Sequence, residues 1–181
     1  MSLKKFWGIL CLLAILILPT NHLEAAPRVA VLPFDNQSAK QSSKNLDAAF
    51  EKARAYVEEE IVWTGKFQQV PRNPEVMQKI FDSMKFDHSG AVDIATAAQY
   101  GKWLGAQYLV LGTVTGLSKK GNETIAHLSL RMIEVERAVI FLAGRGSGKS
   151  KGEISESLEK AAEDALTGKR GMLTMLRGGK K

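Results

Sequence analysis

The region from residue 108 to residue 150 most constrains the fold, because three β-forming segments follow one another there with only short turns between them. The turns are Lys120-Gly121-Asn122 and Glu136-Arg137-Ala138. Strands joined by such short turns pair antiparallel, so residues 108–115, 124–137 and 139–150 are predicted to form a meander. The middle segment alternates, with Ala126, Leu128, Leu130 and Met132 on one face and Ile125, His127, Ser129 and Arg131 on the other.

The chain before the meander predicts one buried strand followed mainly by helices. Residues 28–34 are apolar almost throughout, which is typical of a strand covered on both sheet faces. Asn73-Pro74 resembles a helix start, and Gly105 a helix stop. Apolar spacing and these signals predict helices over residues 45–64, 74–84, 93–104 and 154–166 and a short strand over 66–70.

The element order is therefore β-α-β-α-α-β-β-β-α. It predicts an α/β fold with a mixed sheet of about five strands and helices packed on it, in a single domain. Phe34 and Trp103 are both placed in its core. The inward-facing helical positions are Leu46, Phe50, Ala53, Val57 and Ile61; Val76, Met77, Ile80 and Phe81 or Met84; Ile94, Ala97, Ala98 and Trp103 or Leu104; and Ile154, Leu158, Ala161, Ala162 and Ala165.

Residues 1–26 have the pattern of a cleaved export signal. Lys4 and Lys5 precede an apolar run over residues 6–18, and small residues follow before Pro27. The run is shorter than the ~20 residues that cross a bilayer, although a retained anchor is the alternative. The only cysteine, Cys11, lies inside this signal and not at its cleavage point. The sequence thus predicts a periplasmic or secreted, non-lipidated protein without disulfides.

The chain is predicted to end in a basic tail. Residues 27–167 are predicted to form the domain. Gly168 and Gly171 weaken any helix beyond it, so residues 168–181 are expected to be poorly ordered. The formal net charge of the whole chain is +6. Such a tail could contact a membrane or cell-wall polymer, or simply remain solvated. Its basic residues are Lys169, Arg170, Arg177, Lys180 and Lys181.

Residues 143–150, Ala-Gly-Arg-Gly-Ser-Gly-Lys-Ser, match a permissive phosphate-loop pattern. Too few residues follow to supply the strands and magnesium ligand of such a site. The interpretation that we prefer is a strand face thinned by glycine, where a helix of the same chain or a neighbouring chain comes close. We place the candidate interaction surface here; it consists of Gly144, Gly146, Gly148 and Ser150.

The remaining sequence contains no recognisable catalytic or metal-binding pattern. After the signal, the only histidines are His88 and His127, and no serine lies in a strand-elbow-helix pattern. An exported chain without a basic, aromatic-studded strand face is also a poor candidate for binding nucleic acid. We therefore predict a protein that is not an enzyme and needs no cofactor.

Three segments of the chain together form a recognisable pattern: Arg-Val-Ala-Val-Leu-Pro-Phe-Asp-Asn at residues 28–36, the stretch from Ala97 through Leu-Gly-Ala to Val114, and the hairpin leading to Gly144. In this order they resemble the CsgG-like family of bacterial envelope proteins. The first two patterns also occur in TolB-type N-terminal domains of related fold. The resemblance implies an exported α/β domain that acts through protein contacts, without a cofactor.

Two features depart from this family pattern. Pore-forming members carry long hairpin insertions, whereas residues 117–124 form only a short turn region here, so a pore is not expected. Lipoprotein members carry an acylated cysteine that this chain lacks. The sequence thus predicts a non-catalytic envelope protein that contacts other envelope proteins or itself, with secretion and cell-wall assembly as candidate roles; the alternative is a small-ligand or nucleotide-binding protein that uses residues 144–150.

Overall fold

The computed structural model describes residues 25–38, 44–71, 73–86 and 92–178. Most of the predicted export signal, with Cys11, lies outside the described residues, as do His88, Lys180 and Lys181. Six strands and five helices are present in the described part. They are β1 Arg28–Val31, β2 Asp35–Asn36, α1 Lys44–Trp63, β3 Gln68–Gln69, α2 Pro74–Phe86, α3 Ile94–Leu104, β4 Tyr108–Lys120, β5 Glu123–Glu134, β6 Val139–Lys151, α4 Ile154–Thr167 and α5 Met172–Gly178.

One mixed sheet holds these strands, in the order β3-β1-β4-β5-β6. β1 is parallel to β3 and β4, and β2 continues along β4 in the same direction. β4, β5 and β6 form the antiparallel meander that the sequence predicts, with Gly121 in a left-handed conformation at the first turn. β6 therefore lies at one edge of the sheet and β3 at the other.

Each face of the sheet carries a hydrophobic core. On one face, α1 and α4 cover the alternate β5 residues Ala126, Leu128, Leu130 and Met132, as predicted from their spacing. On the other face, α2 and α3 cover the ends of the strands through Ile80, Ala97 and Tyr100. The inward residues predicted for α1 and those of α4 from Leu158 onward are all buried, because each forms a single helical stripe. The mixed α/β class is confirmed.

Phe34 belongs to the first core, as predicted, and its position depends on a glycine. It is 8% exposed. A Cβ built at Gly112 of β4 would lie 2.2 Å from Cδ1 of the Phe34 ring, so the ring packs directly on the β4 backbone. The chain after β1 can cross β4 this closely only because Gly112 has no side chain.

Two predictions from the sequence differ from the structure. Trp103 is only half-buried: its ring lies at the margin of the second core, 5.6 Å from the Tyr100 ring and 4.3 Å from Lys79 Nζ. The region predicted as a poorly ordered tail also contains a helix, since α5 follows Gly171 and buries Met172 and Leu173 in the first core. Hydrophobic burial of these two side chains favours this helix despite the two glycines that precede it.

Candidate interaction surface

The glycines of β6 are covered by α4 of the same chain. A Cβ built at Gly144 would lie 2.1 Å from the Ala165 carbonyl oxygen, and one at Gly146 would lie 2.1 Å from that of Ala161. For Gly148 the corresponding atom is the Ser157 carbonyl oxygen, at 2.0 Å. Real Cβ atoms do not approach backbone this closely, so only glycine lets α4 rest on this strand. The predicted glycine surface is therefore closed by internal packing, the alternative that the sequence left open.

Ser150 continues the buried row through hydroxyl contacts. Its Oγ lies 2.7 Å from Ser157 Oγ, and it also donates to the Glu153 carbonyl. The Ser157 hydroxyl in turn lies 3.2 Å from the Thr124 carbonyl oxygen. Buried polar groups need hydrogen-bond partners. Here these hydrogen bonds connect the first turn of α4 to β5 and β6. The serine thus has a structural role and is not open to a partner.

The free edge of β6 is also partly closed by the same chain. The Arg145 amide donates to the Arg170 carbonyl at 3.3 Å, and the Ser147 amide donates to Asp164 Oδ2 at 3.0 Å. Lys160 Nζ donates to the Lys149 carbonyl at 3.3 Å. Edge strands that keep unpaired amides are sites for pairing with another chain. Residues 145–149 are protected from such pairing by α4 and the turn that follows it.

The first residues of β6 are different, because they are apolar and exposed. Val139 and Ile140 are each 43% exposed and Phe141 is 41% exposed. Of the large apolar side chains that are exposed in the described part of the chain, only Trp63 and Met175 lie elsewhere. We call residues 139–143 the apolar edge. Its three large side chains are consecutive, which is unusual for a surface and typical of a contact site.

A β-bulge creates this exposure. Met132 pairs with Leu142 and Ile133 pairs with Ile140, so Phe141 has no partner on β5. Regular alternation along residues 140–150 predicts that Ile140 and Leu142 lie on one strand face with the glycines. The structure differs: the bulge places Ile140 on the opposite face from Leu142, because an extra residue reverses the alternation of a strand.

The apolar edge adjoins an aromatic row and a cleft at the same end of the sheet. The Phe141 ring lies 5.1 Å from the Tyr108 ring, which lies 5.5 Å from the Phe67 ring. Tyr108 also lines a cleft of about 640 Å³, together with Ala106 and Val135. Glu134 sits at this cleft, and its pKa is lowered by the hydrogen bond from Arg137. The surface thus combines exposed apolar side chains with a concave, partly polar neighbour.

The phosphate-loop alternative does not fit the structure. Residues 143–150 lie within a continuous strand, and the sheet ladder pairs Gly144, Gly146 and Gly148 with β5. A phosphate site needs a loop whose free amides surround the anion at a helix N-terminus. Here the backbone groups of the three glycines pair with β5, and α4 covers the strand face on which their Cα hydrogens lie, so this segment cannot surround a phosphate.

Other chemical groups are scattered over the described residues. Within that part of the chain, no group of three or more His, Cys, Asp or Glu side chains could hold a metal ion. His127 is exposed on β5. At the start of β2, burial raises the pKa of Asp35, whose Oδ2 atom has no hydrogen-bond partner among the described residues. No helix in the same part of the chain combines the length and the hydrophobicity that crossing a bilayer requires.

Comparison with known proteins decides the family. The family model described as "Curli production assembly/transport component CsgG" matches residues 15–124, more than half of the chain. The chain belongs to the CsgG family. A comparison with curated proteins found no match.

Solved structures of similar fold accompany the family match. A PelC dodecamer from Paraburkholderia phytofirmans is similar with a TM-score of 0.51 at 15% identity, covering 81% of this chain and 89% of that chain. The LpoB C-terminal domain from Salmonella enterica has a TM-score of 0.46 at 15% identity, covering 70% and 85%. The arrangement of helices on a mixed sheet is thus shared with PelC, although the sequences have diverged widely.

Proposed function

We propose that this chain is an exported, non-catalytic component of a cell-envelope assembly or secretion system, and that it associates with further copies of itself through the apolar edge. The observation that carries the proposal is the run of three exposed apolar side chains, Val139, Ile140 and Phe141, on the edge strand of the sheet. The family description, a curli assembly and transport component, supports the envelope role.

The choice of a second copy as the partner is supported by the fold. PelC, whose fold is similar, was solved as a dodecamer. In this chain, residues 145–149 of β6 are protected from pairing by α4 and the turn that follows it, whereas the apolar edge of the same strand is exposed and can contact another copy. Burying the three apolar side chains against another copy would remove apolar surface from water, which is favourable at about 25 cal/mol per Å². Other envelope proteins could use the same surface.

A charge-introducing variant tests this proposal. We expect the mature wild-type protein to sediment as a concentration-dependent assembly, and the Ile140→Lys/Phe141→Lys double variant to sediment as a monomer, because lysine ammonium groups cannot be buried unpaired in an apolar contact. Sedimentation velocity over a range of concentrations measures this directly. Both side chains are about half-exposed in the single chain, so the melting temperature should change little.

Ser147→Lys is the matched control, because Ser147 is exposed on the closed half of the same strand and uses its backbone amide, not its side chain, to bind Asp164. It should assemble like the wild type. A wild-type chain that stays monomeric at every concentration, or a double variant that still assembles, would contradict self-association through the apolar edge.

A further inference from the structure

A second surface lies on the other half of β6, where basic side chains from three parts of the chain meet. A cleft of about 540 Å³ follows the sheet edge there. Arg145 of β6 and the Lys169-Arg170 pair between α4 and α5 supply its positive charge, and His127 of β5 lies beside them. Asp164 is the one carboxylate among the described residues that line it. We call it the basic cleft. It is separate from the apolar edge and does not depend on the proposed self-association.

The cleft continues onto the uncovered face of the sheet. A neighbouring cavity of about 410 Å³ shares His127 and Arg145 with it and adds the side chains of Thr115 and Ser129. Ser129 of β5 pairs with Arg145 of β6, and His127 of β5 pairs with Ser147 of β6. These two cross-strand pairs lie next to each other on the same face of the sheet. Because the two cavities share His127 and Arg145, they adjoin at the sheet edge, and the second one adds the hydroxyl groups of Thr115 and Ser129.

The backbone holds the basic groups in place. The Arg145 amide donates to the Arg170 carbonyl, which fixes the turn after α4 against β6. Asp164 is held by the Ser147 amide at 3.0 Å. Among the described residues, the side chains of Arg145, Lys169 and Arg170 have no ion-pair partner. The cleft therefore presents more positive charge than the single carboxylate can balance, and such a field attracts anionic ligands.

We propose that the basic cleft binds an acidic segment of a partner polypeptide, whose carboxylates pair with Arg145 and Lys169. The Arg guanidinium presents a planar fork that fits a carboxylate with two parallel hydrogen bonds. Hydroxyl groups such as that of Ser129 can donate to the same carboxylates or to peptide carbonyls. Because the amides of Arg145 and Ser147 are already occupied, the segment binds through side chains and does not add a strand to the sheet.

The lining favours a polypeptide over other anionic partners. Among the described residues, no Phe, Tyr or Trp lines either cavity, whereas single-stranded nucleic acid binds largely by stacking on such rings. No exposed large apolar side chain lines them either, although a membrane surface is usually held by apolar groups as well as by charge. An open basic surface that lacks aromatic and exposed apolar groups among its described lining residues suits an acidic segment with carboxylates on flexible side chains.

The test uses the full mature protein and a short fluorescent oligoglutamate, with binding measured by anisotropy at low salt. We expect the Arg145→Gln/Lys169→Gln variant to bind roughly tenfold more weakly than the wild type, since exposed charge pairs are individually weak. Raising the salt should weaken wild-type binding, because the Debye length is about 10 Å at 0.1 M.

Lys66→Gln/Lys102→Gln is the control, because it removes the same charge far from the cleft and should bind within about twofold of the wild type. No binding of oligoglutamate, or an equal loss in both variants, overturns the proposal. Tighter binding of polyphosphate or of vesicles with anionic lipid, with the same dependence on Arg145 and Lys169, overturns the choice of an acidic polypeptide. The cleft variant should sediment like the wild type, which separates this test from that of the apolar edge.

Discussion

Gly146→Val is expected to destabilise the protein by more than about 3 kcal/mol, because its side chain would collide with the backbone of α4. Overpacking of a well-packed core typically costs about 1–3 kcal/mol, and more when backbone must move. A Cβ at this position would lie 2.1 Å from the Ala161 carbonyl oxygen and 2.2 Å from the Ala165 amide nitrogen. Neither atom can rotate away, so α4 must lift from β6 and expose part of the first core.

Thermal unfolding of Gly146→Val and of its neighbour Ser147→Val measures this effect. Ser147 is exposed on the same strand and binds Asp164 only through its backbone amide, and valine suits a strand, so the control should keep its melting temperature. A domain of this size loses roughly 2–4 °C for each kcal/mol, so the Gly146 variant should melt about 10 °C lower. A Gly146 variant that melts like the wild type would show that α4 does not rest on these glycines.

Phe34→Ala should lower the free energy of unfolding by roughly 3–5 kcal/mol, because truncating a buried aromatic ring loses its burial and leaves a cavity. The ring lies against Gly112 on β4 and is part of the first core. Little can fill the space, since its floor is strand backbone. Chemical denaturation with a two-state fit gives the loss directly.

Trp63→Ala is the matched control for this second prediction. Trp63 is 77% exposed at the end of α1, so removing an even larger ring there should change the stability by no more than about 0.5 kcal/mol. If Phe34→Ala costs less than about 1 kcal/mol, the ring contributes little to the core, and the packing of Phe34 on Gly112 does not explain the close crossing of β4.

The sequence predicts the elements with long, regular patterns. The stripe of α1 and the alternation of β5 each repeat over several turns or pairs, so a single odd residue does not hide the period. The short helix α5 lacks such a repeat. Its order depends on two residues, Met172 and Leu173, that reach the core only because α4 ends where it does.

The sequence alone does not predict which side chains of β6 are exposed, because the bulge and the covering helix both depend on contacts between residues far apart in the chain. Nothing in the local sequence marks Phe141 as unpaired; that follows from its pairing with β5. A row of alternate glycines indicates a close approach, but not which backbone approaches. The spacing of Ser157, Ala161 and Ala165, four residues apart on one helical face, is the signal that matches the three glycines.

The basic cleft lies beyond sequence reasoning for a similar reason. His127, Arg145 and Lys169 are far apart in the chain and meet only because β5, β6 and the turn after α4 converge at one edge. The sequence identifies Lys169 and Arg170 as part of a basic tail that either contacts a membrane or cell-wall polymer or remains solvated. The fold instead places these two residues beside a strand, where they can act together with Arg145.

Amide hydrogen exchange of the purified protein, compared at a dilute and a concentrated condition, tests the central claim most directly. If copies associate through the apolar edge, the amides of residues 139–143 should gain protection at high concentration, while those of residues 144–150, already closed by α4 and β5, should exchange at the same slow rate in both. Concentration-dependent protection over residues 144–150, or none anywhere in β6, would contradict the account.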